Sequence, residues 1–81
     1  MEFHRLAAGM VIKKIRKEKK LSQEVLSGLA VMARSHLAMI ENGDKQPNFE
    51  TIWKIATALQ LRPSELVRLI EEEALLLSEN Q

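Results

Sequence analysis

SQEVLSGLAVMARSHLAMIENG, residues 22–43, holds two short helical patterns with almost nothing between them. Ser22 suits a helix start, because its hydroxyl oxygen can accept from an N–H of the first turn. Gln23 and Glu24 follow, and the charge of Glu24 complements the positive end of the helix dipole. Leu26, Leu29 and Ala30 give this helix an apolar face at three- and four-residue spacing. A second pattern starts near Arg34, buries Leu37 and Ile40, and stops at Asn42-Gly43. Helices of about nine residues joined by about three are too short for a long antiparallel hairpin. They predict a steeply crossed pair, the helix-turn-helix, whose second helix turns its first residues outward.

Three further helices flank this pair. Over about residues 4–19, Ala8, Val11, Ile12 and Ile15 form a stripe, with Gly9 weakening its first half. Lys13, Lys14, Arg16, Lys17, Lys19 and Lys20 take the other faces or the exit. Some of these cations are explained by the negative end of the helix dipole alone. After the loop GDKQPN, residues 43–48, Asn48 caps a fourth helix with the stripe Ile52, Ile55, Ala56 and Leu59. Phe49 and Trp53 lie beside that stripe and are expected to pack into the core.

Pro63 opens a fifth helix over 63–77, where its missing N–H costs nothing. Leu66, Leu69 and Ile70 face the core, yet Val67, Ile70, Ala74 and Leu77 make a second apolar track. A helix apolar on two sides needs two partners, so this track is expected to form a homodimer interface. The alternative is a tail that folds back on its own domain.

Composition narrows the function. The chain of 81 residues makes one domain, all-α in pattern, with no cysteine for a disulfide or thiolate metal site. No apolar run reaches the roughly 18 residues of a membrane span, and the expected location is the cytoplasm. Net charge is only +1. Residues 1–45 nevertheless hold nine Lys or Arg against five Asp or Glu, and residues 46–81 three against six. This asymmetry suits either a side that faces a polyanion or a solvated basic face with no ligand. Catalysis has little support: the two histidines, His4 and His36, make no metal cluster, and Glu71, Glu72 and Glu73 fan around a helix. No cofactor is implied.

IKKIRKEKKLSQEVL at 12–26, SHLAMIENGDKQPNFETIWKIATAL at 35–59 and LRPSEL at 61–66 resemble the phage-repressor or XRE family of helix-turn-helix DNA-binding proteins. That resemblance implies a five-helix all-α fold with an extended C-terminal helix, and a dimeric regulator of transcription that binds double-stranded DNA. It implies that Arg34, Ser35, Ala38 and Met39 face base edges. An Arg fork suits guanine, whereas Ala38 and Met39 offer apolar contact to a thymine methyl. It implies that Gln23, Asn42 and Lys45 meet phosphates, with Arg16 and Lys17 as weaker partners. His36 is read either as a further phosphate or base contact or as a residue that caps and packs. Glu41 is expected to bond within the domain. Length and helical tail also resemble the controllers of restriction–modification systems. An antitoxin or adaptor that serves protein partners is the competing reading, motivated by the acidic tail EEEALLLSE.

The chain departs from the family pattern where glycine is common, at Lys20, Val31 and Gln60. A β-branched residue in a left-handed turn costs roughly 1–2 kcal/mol, so a differently built turn is expected at Val31. Ala33 replaces a hydroxyl cap, at a cost of about 1 kcal/mol. Gly28 inside the second helix costs about 1 kcal/mol more.

Overall fold

A computed structural model describes residues 2–79. Its order is α1 (Ala7–Glu18), α2 (Gln23–Leu29), α3 (Arg34–Glu41), α4 (Phe49–Ala58) and α5 (Pro63–Glu79). α1 lies against α3 and α5, α2 against α3 and α4, and α4 against α5. Every helix sends at least one fully buried side chain to the centre: Ile12, Leu26, Leu37 with Ile40, Ile55 with Leu59, and Leu66. Removing such side chains from water, at about 25 cal/mol per Å² of apolar area, holds the short helices in place.

The helix starts follow their sequences. Ser22 Oγ accepts from Val25 N at 3.0 Å, and Asn48 Oδ1 accepts from Thr51 N at 2.8 Å. Glu65 Oε1 reaches back to Arg62 N at 2.9 Å, half of a capping box for α5. Ala33 makes no side-chain cap for α3. α1 begins at Ala7, three residues later than its apolar pattern suggests, and Arg5 just before it bonds to the loop after α3. Gly9 is where α1 meets the end of α3. A methyl group there would collide with the Ile40 carbonyl and lie 2.8 Å from the Glu41 oxygen.

The helix ends correct one expectation. Lys20, Val31 and Gln60 have φ of 58°, 54° and 63°, and Gly43 has φ of 82°. All four helices α1 to α4 close alike, with a left-handed residue just past the helix and a bond pair that caps its last carbonyls. For α2, Val31 N donates to Gly28 O at 3.2 Å and Met32 N to Ser27 O at 3.0 Å. The turn at Val31 is therefore the ordinary one, carrying a β-branched residue. What holds it is the next residue. Leu21, Met32 and Leu61 follow the left-handed positions and pack on the core, which offsets the local strain.

Three apolar residues do not go where their pattern placed them. Leu29 is exposed although Leu26 and Ala30 on the same helix are buried. Phe49 and Trp53 are 79% and 60% exposed, so the chain's one tryptophan lies outside the core. They sit one turn apart along the flank of α4, beside the buried Ile52, Ile55 and Ala56 and not among them.

Candidate nucleic-acid interface

α3 buries Leu37, Ile40 and Glu41 and turns the opposite side to solvent. With 3.6 residues per turn, Ser35, Ala38, Met39 and Asn42 follow one another along that open side. Ser35 and Asn42 are exposed, and Ala38 and Met39 are half-buried. Arg34 is exposed at the first position of the helix, at the edge of this face, and His36 is half-buried on the other flank. After Asn42 the chain doubles back, since Asp44 N and Lys45 N both donate to Met39 O, at 2.9 and 3.2 Å. That return leaves Lys45 exposed beside the last turn of α3.

A buried ion pair holds α3 to α1. Arg16 Nε donates to Glu41 Oε2 at 2.7 Å and Nη2 to Oε1 at 2.9 Å, while Nη1 donates to Leu21 O at 2.8 Å. Their side chains are 9% and 0% exposed. The hydrogen bond to Glu41 raises the Arg16 pKa above its ordinary value, with charge attraction adding and burial opposing. Arg16 is thus corrected: it is a buried structural residue, each of whose three side-chain nitrogens donates a bond within the domain, and it is withdrawn from the phosphate partners. Glu41 bonds within the domain, as expected from the sequence. A signal was present, because Arg16 lies four residues after Ile12 on the buried stripe of α1.

The same carboxylate reaches α2. Gln23 Nε2 donates to Glu41 Oε1 at 3.0 Å, which ties the first residue of α2 to the last of α3. Gln23 is half-buried, and its amide has one more N–H and an oxygen to offer. Lys17 is exposed on α1 next to the buried Arg16. Gln23, Asn42 and Lys45 therefore keep polar atoms at the surface beside α3, and Lys17 does so on α1.

Residues 12–66 match the family model described as helix-turn-helix, HTH_3. The chain belongs to that family. This helix-turn-helix chain is 41% identical over 71 residues to the immunity repressor protein of Bacillus phage phi105, a match covering 84% of the chain. It spans about half, 49%, of that repressor's length. Among solved structures it is similar to the restriction-modification controller protein C.AhdI from Aeromonas hydrophila. There the TM-score is 0.73 at 35% identity, covering 76% of this chain and 94% of that one. The wild-type restriction-modification controller protein C.Esp1396I gives a TM-score of 0.80 at 25% identity, covering 93% and 97% of the two chains. The helix-turn-helix family resemblance read from the sequence, and its all-α five-helix fold, are thereby confirmed. These relatives are named as a repressor and as controller proteins.

The interface track expected on α5 is not uniform. Ala74 is buried within the chain, so it is withdrawn from that interface. α5 runs to Glu79 and lies against α1. Val67 is exposed, and Ile70 and Leu77 are half-buried. Val67 also shares a shallow apolar cleft with Phe49 and Trp53, rimmed by Arg62, Arg68 and Glu71. Sequence reasoning missed this patch because aromatic residues beside a buried stripe are read as core. Among the described residues, no helix is long and apolar enough to cross a membrane.

Proposed function

We propose that this chain is a sequence-specific, double-stranded-DNA-binding transcription regulator that acts as a homodimer in the cytoplasm. The observation that carries the reading is the two-sidedness of α3. Leu37, Ile40 and Glu41 anchor it, while Arg34, Ser35, Ala38, Met39 and Asn42 stand on or beside its open side. In the major groove, Arg34 can address guanine O6 and N7, Ser35 a base edge, and Ala38 with Met39 a thymine methyl. Gln23, Lys17, Asn42 and Lys45 flank α3 and set its register on phosphates, with His36 at the margin. The repressor and controller relatives, as named, support a regulatory role.

The second copy is assigned to the α4–α5 face. Phe49, Trp53 and Val67 leave an apolar patch, and its rim carries both signs, Arg62 and Arg68 against Glu71. A two-fold interface meets itself, so a patch with both charges at its edge can pair with its own copy. Ile70 and Leu77 extend this seam along α5, in the absence of Ala74. The patch starts at Phe49, seven residues after Asn42, which places the seam close in sequence to the exit of α3.

Selection of bound sites from random DNA tests the reading. The expected return is an inverted repeat whose half-sites lie about one helical turn, roughly 34 Å, apart. No mobility shift at low salt overturns the DNA reading. A non-palindromic consensus overturns the homodimer and leaves the DNA reading standing.

A further inference from the structure

We infer that Arg5 is a positioning residue, clamping the loop that presents Lys45, so that the segment before α1 sets a phosphate contact it does not make itself. Arg5 grips the loop at two points. Its Nη1 donates to Gly43 O at 3.1 Å, and its own carbonyl accepts from Gln46 Nε2 at 2.6 Å. Between those anchors lie only Asp44 and Lys45, both exposed. Leu6 closes the clamp from the side. Gly43 is buried beneath it, and a methyl on Gly43 would come within 2.5 Å of Leu6 Cδ2.

The geometry matters because Lys45 has little else to fix it. Its side chain makes no bond among the described residues, and its backbone is held to α3 by Met39 O at 3.2 Å. That carbonyl is shared with Asp44 N. A Lys side chain carries about 2 kcal/mol of rotamer entropy, so a mobile backbone beneath it would weaken any phosphate contact further. Clamped between residues 43 and 46, the backbone of Lys45 stays in register with Met39 and the open side of α3. Arg5 thus acts through Lys45, and the inference rests on the DNA-binding reading above.

Binding to a mixed-sequence duplex of about 30 base pairs over a salt series tests it, since each phosphate contact contributes about 0.9 to the log–log slope. The variants are Lys45→Ala, Arg5→Ala, the double Arg5→Ala/Lys45→Ala, and Gln46→Ala. Gln46→Ala is the cleanest, because it opens one end of the clamp without removing charge. The expected result is a shallower slope in each single variant, with the double variant no shallower than Lys45→Ala. Faster hydrogen exchange at the Asp44 and Lys45 amides should accompany Gln46→Ala, whether or not DNA is present. A Gln46→Ala slope and exchange rate equal to the parent's overturn the clamp. A double variant that loses about two contacts overturns it as well, since Arg5 would then touch phosphate directly. A parent that shows no salt-dependent binding overturns the DNA reading, and the positioning role with it. The exchange comparison then reports separately whether the loop is held.

Discussion

Arg16 on α1 and Glu41 at the end of α3 meet through two hydrogen bonds, of 2.7 and 2.9 Å, although 25 residues separate them. Gln23 joins them on the carboxylate side and the Leu21 carbonyl on the guanidinium side. Three helices are tied at one polar point beside the apolar core. Among the described residues, no buried side-chain nitrogen or oxygen lacks a partner. The pair therefore fixes where α3 leaves the core.

Breaking one side of that pair leaves a buried charge without its counter-charge. Glu41→Gln keeps the shape but removes the charge, and is expected to destabilise the fold by about 3–5 kcal/mol in urea unfolding. Replacing both members by methionine should cost less than the two single replacements together. A Glu41→Gln variant within about 1 kcal/mol of the parent would show that Arg16 finds another partner.

Val31 carries strain that glycine would relieve. Its side chain is 79% exposed, so little packing is lost on truncation. Val31→Gly should raise stability by about 1 kcal/mol, the left-handed penalty less the added freedom of the unfolded chain. For a domain of this size that is about 4–8 °C in Tm. Gly28→Ala should add a similar amount, because a methyl there meets no atom within 4 Å and lies inside a helix. A lower Tm for Val31→Gly in a thermal melt would mean that the valine makes contacts worth more than its strain.

The helices and their inward residues were legible because burial repeats at three and four residues, and the caps Ser22 and Asn48 mark two starts. Four kinds of feature were not. Arg16 sits on the buried stripe, but a count of apolar residues skips it, and its partner is far along the chain. The local cost of a left-handed Val31 argues against the ordinary turn, whereas Met32 packing on the core decides for it. Phe49 and Trp53 have the composition of a core and the position of a flank, and periodicity separates those only when the stripe is drawn narrowly. The Arg5 clamp had no local signal at all, since its partners lie 38 and 41 residues away.

Arg34 and Lys45 should fail in different ways. If Arg34 reads a base, Arg34→Ala costs about 1–3 kcal/mol on the selected site and relaxes preference at one position. Lys45→Ala should weaken binding to all sequences alike and flatten the salt slope by about 0.9. Titrations on the selected site and on single-base variants separate the two. Unchanged affinity and preference in Arg34→Ala would remove that residue from the base contacts.

Trp53 gives the proposed dimer its own probe, being the one tryptophan in the chain and 60% exposed in a single copy. If the Phe49–Trp53–Val67 face meets its copy, its emission should shift to the blue as concentration rises, in step with the sedimentation coefficient. Trp53→Arg puts a charge in the centre of that seam, where an aromatic anchor contributes about 2 kcal/mol or more. The dimer should then weaken by about 30-fold or more, and operator binding should fall with it. Leu76→Arg, on the exposed part of α5 outside the patch, should leave both unchanged. The reverse outcome, with Leu76→Arg dissociating the dimer and Trp53→Arg silent, would move the seam to the side of α5 opposite Val67, where Leu76 stands. Two monomers at all concentrations in the parent would end the dimer reading, since neither substitution would then have an interface to break.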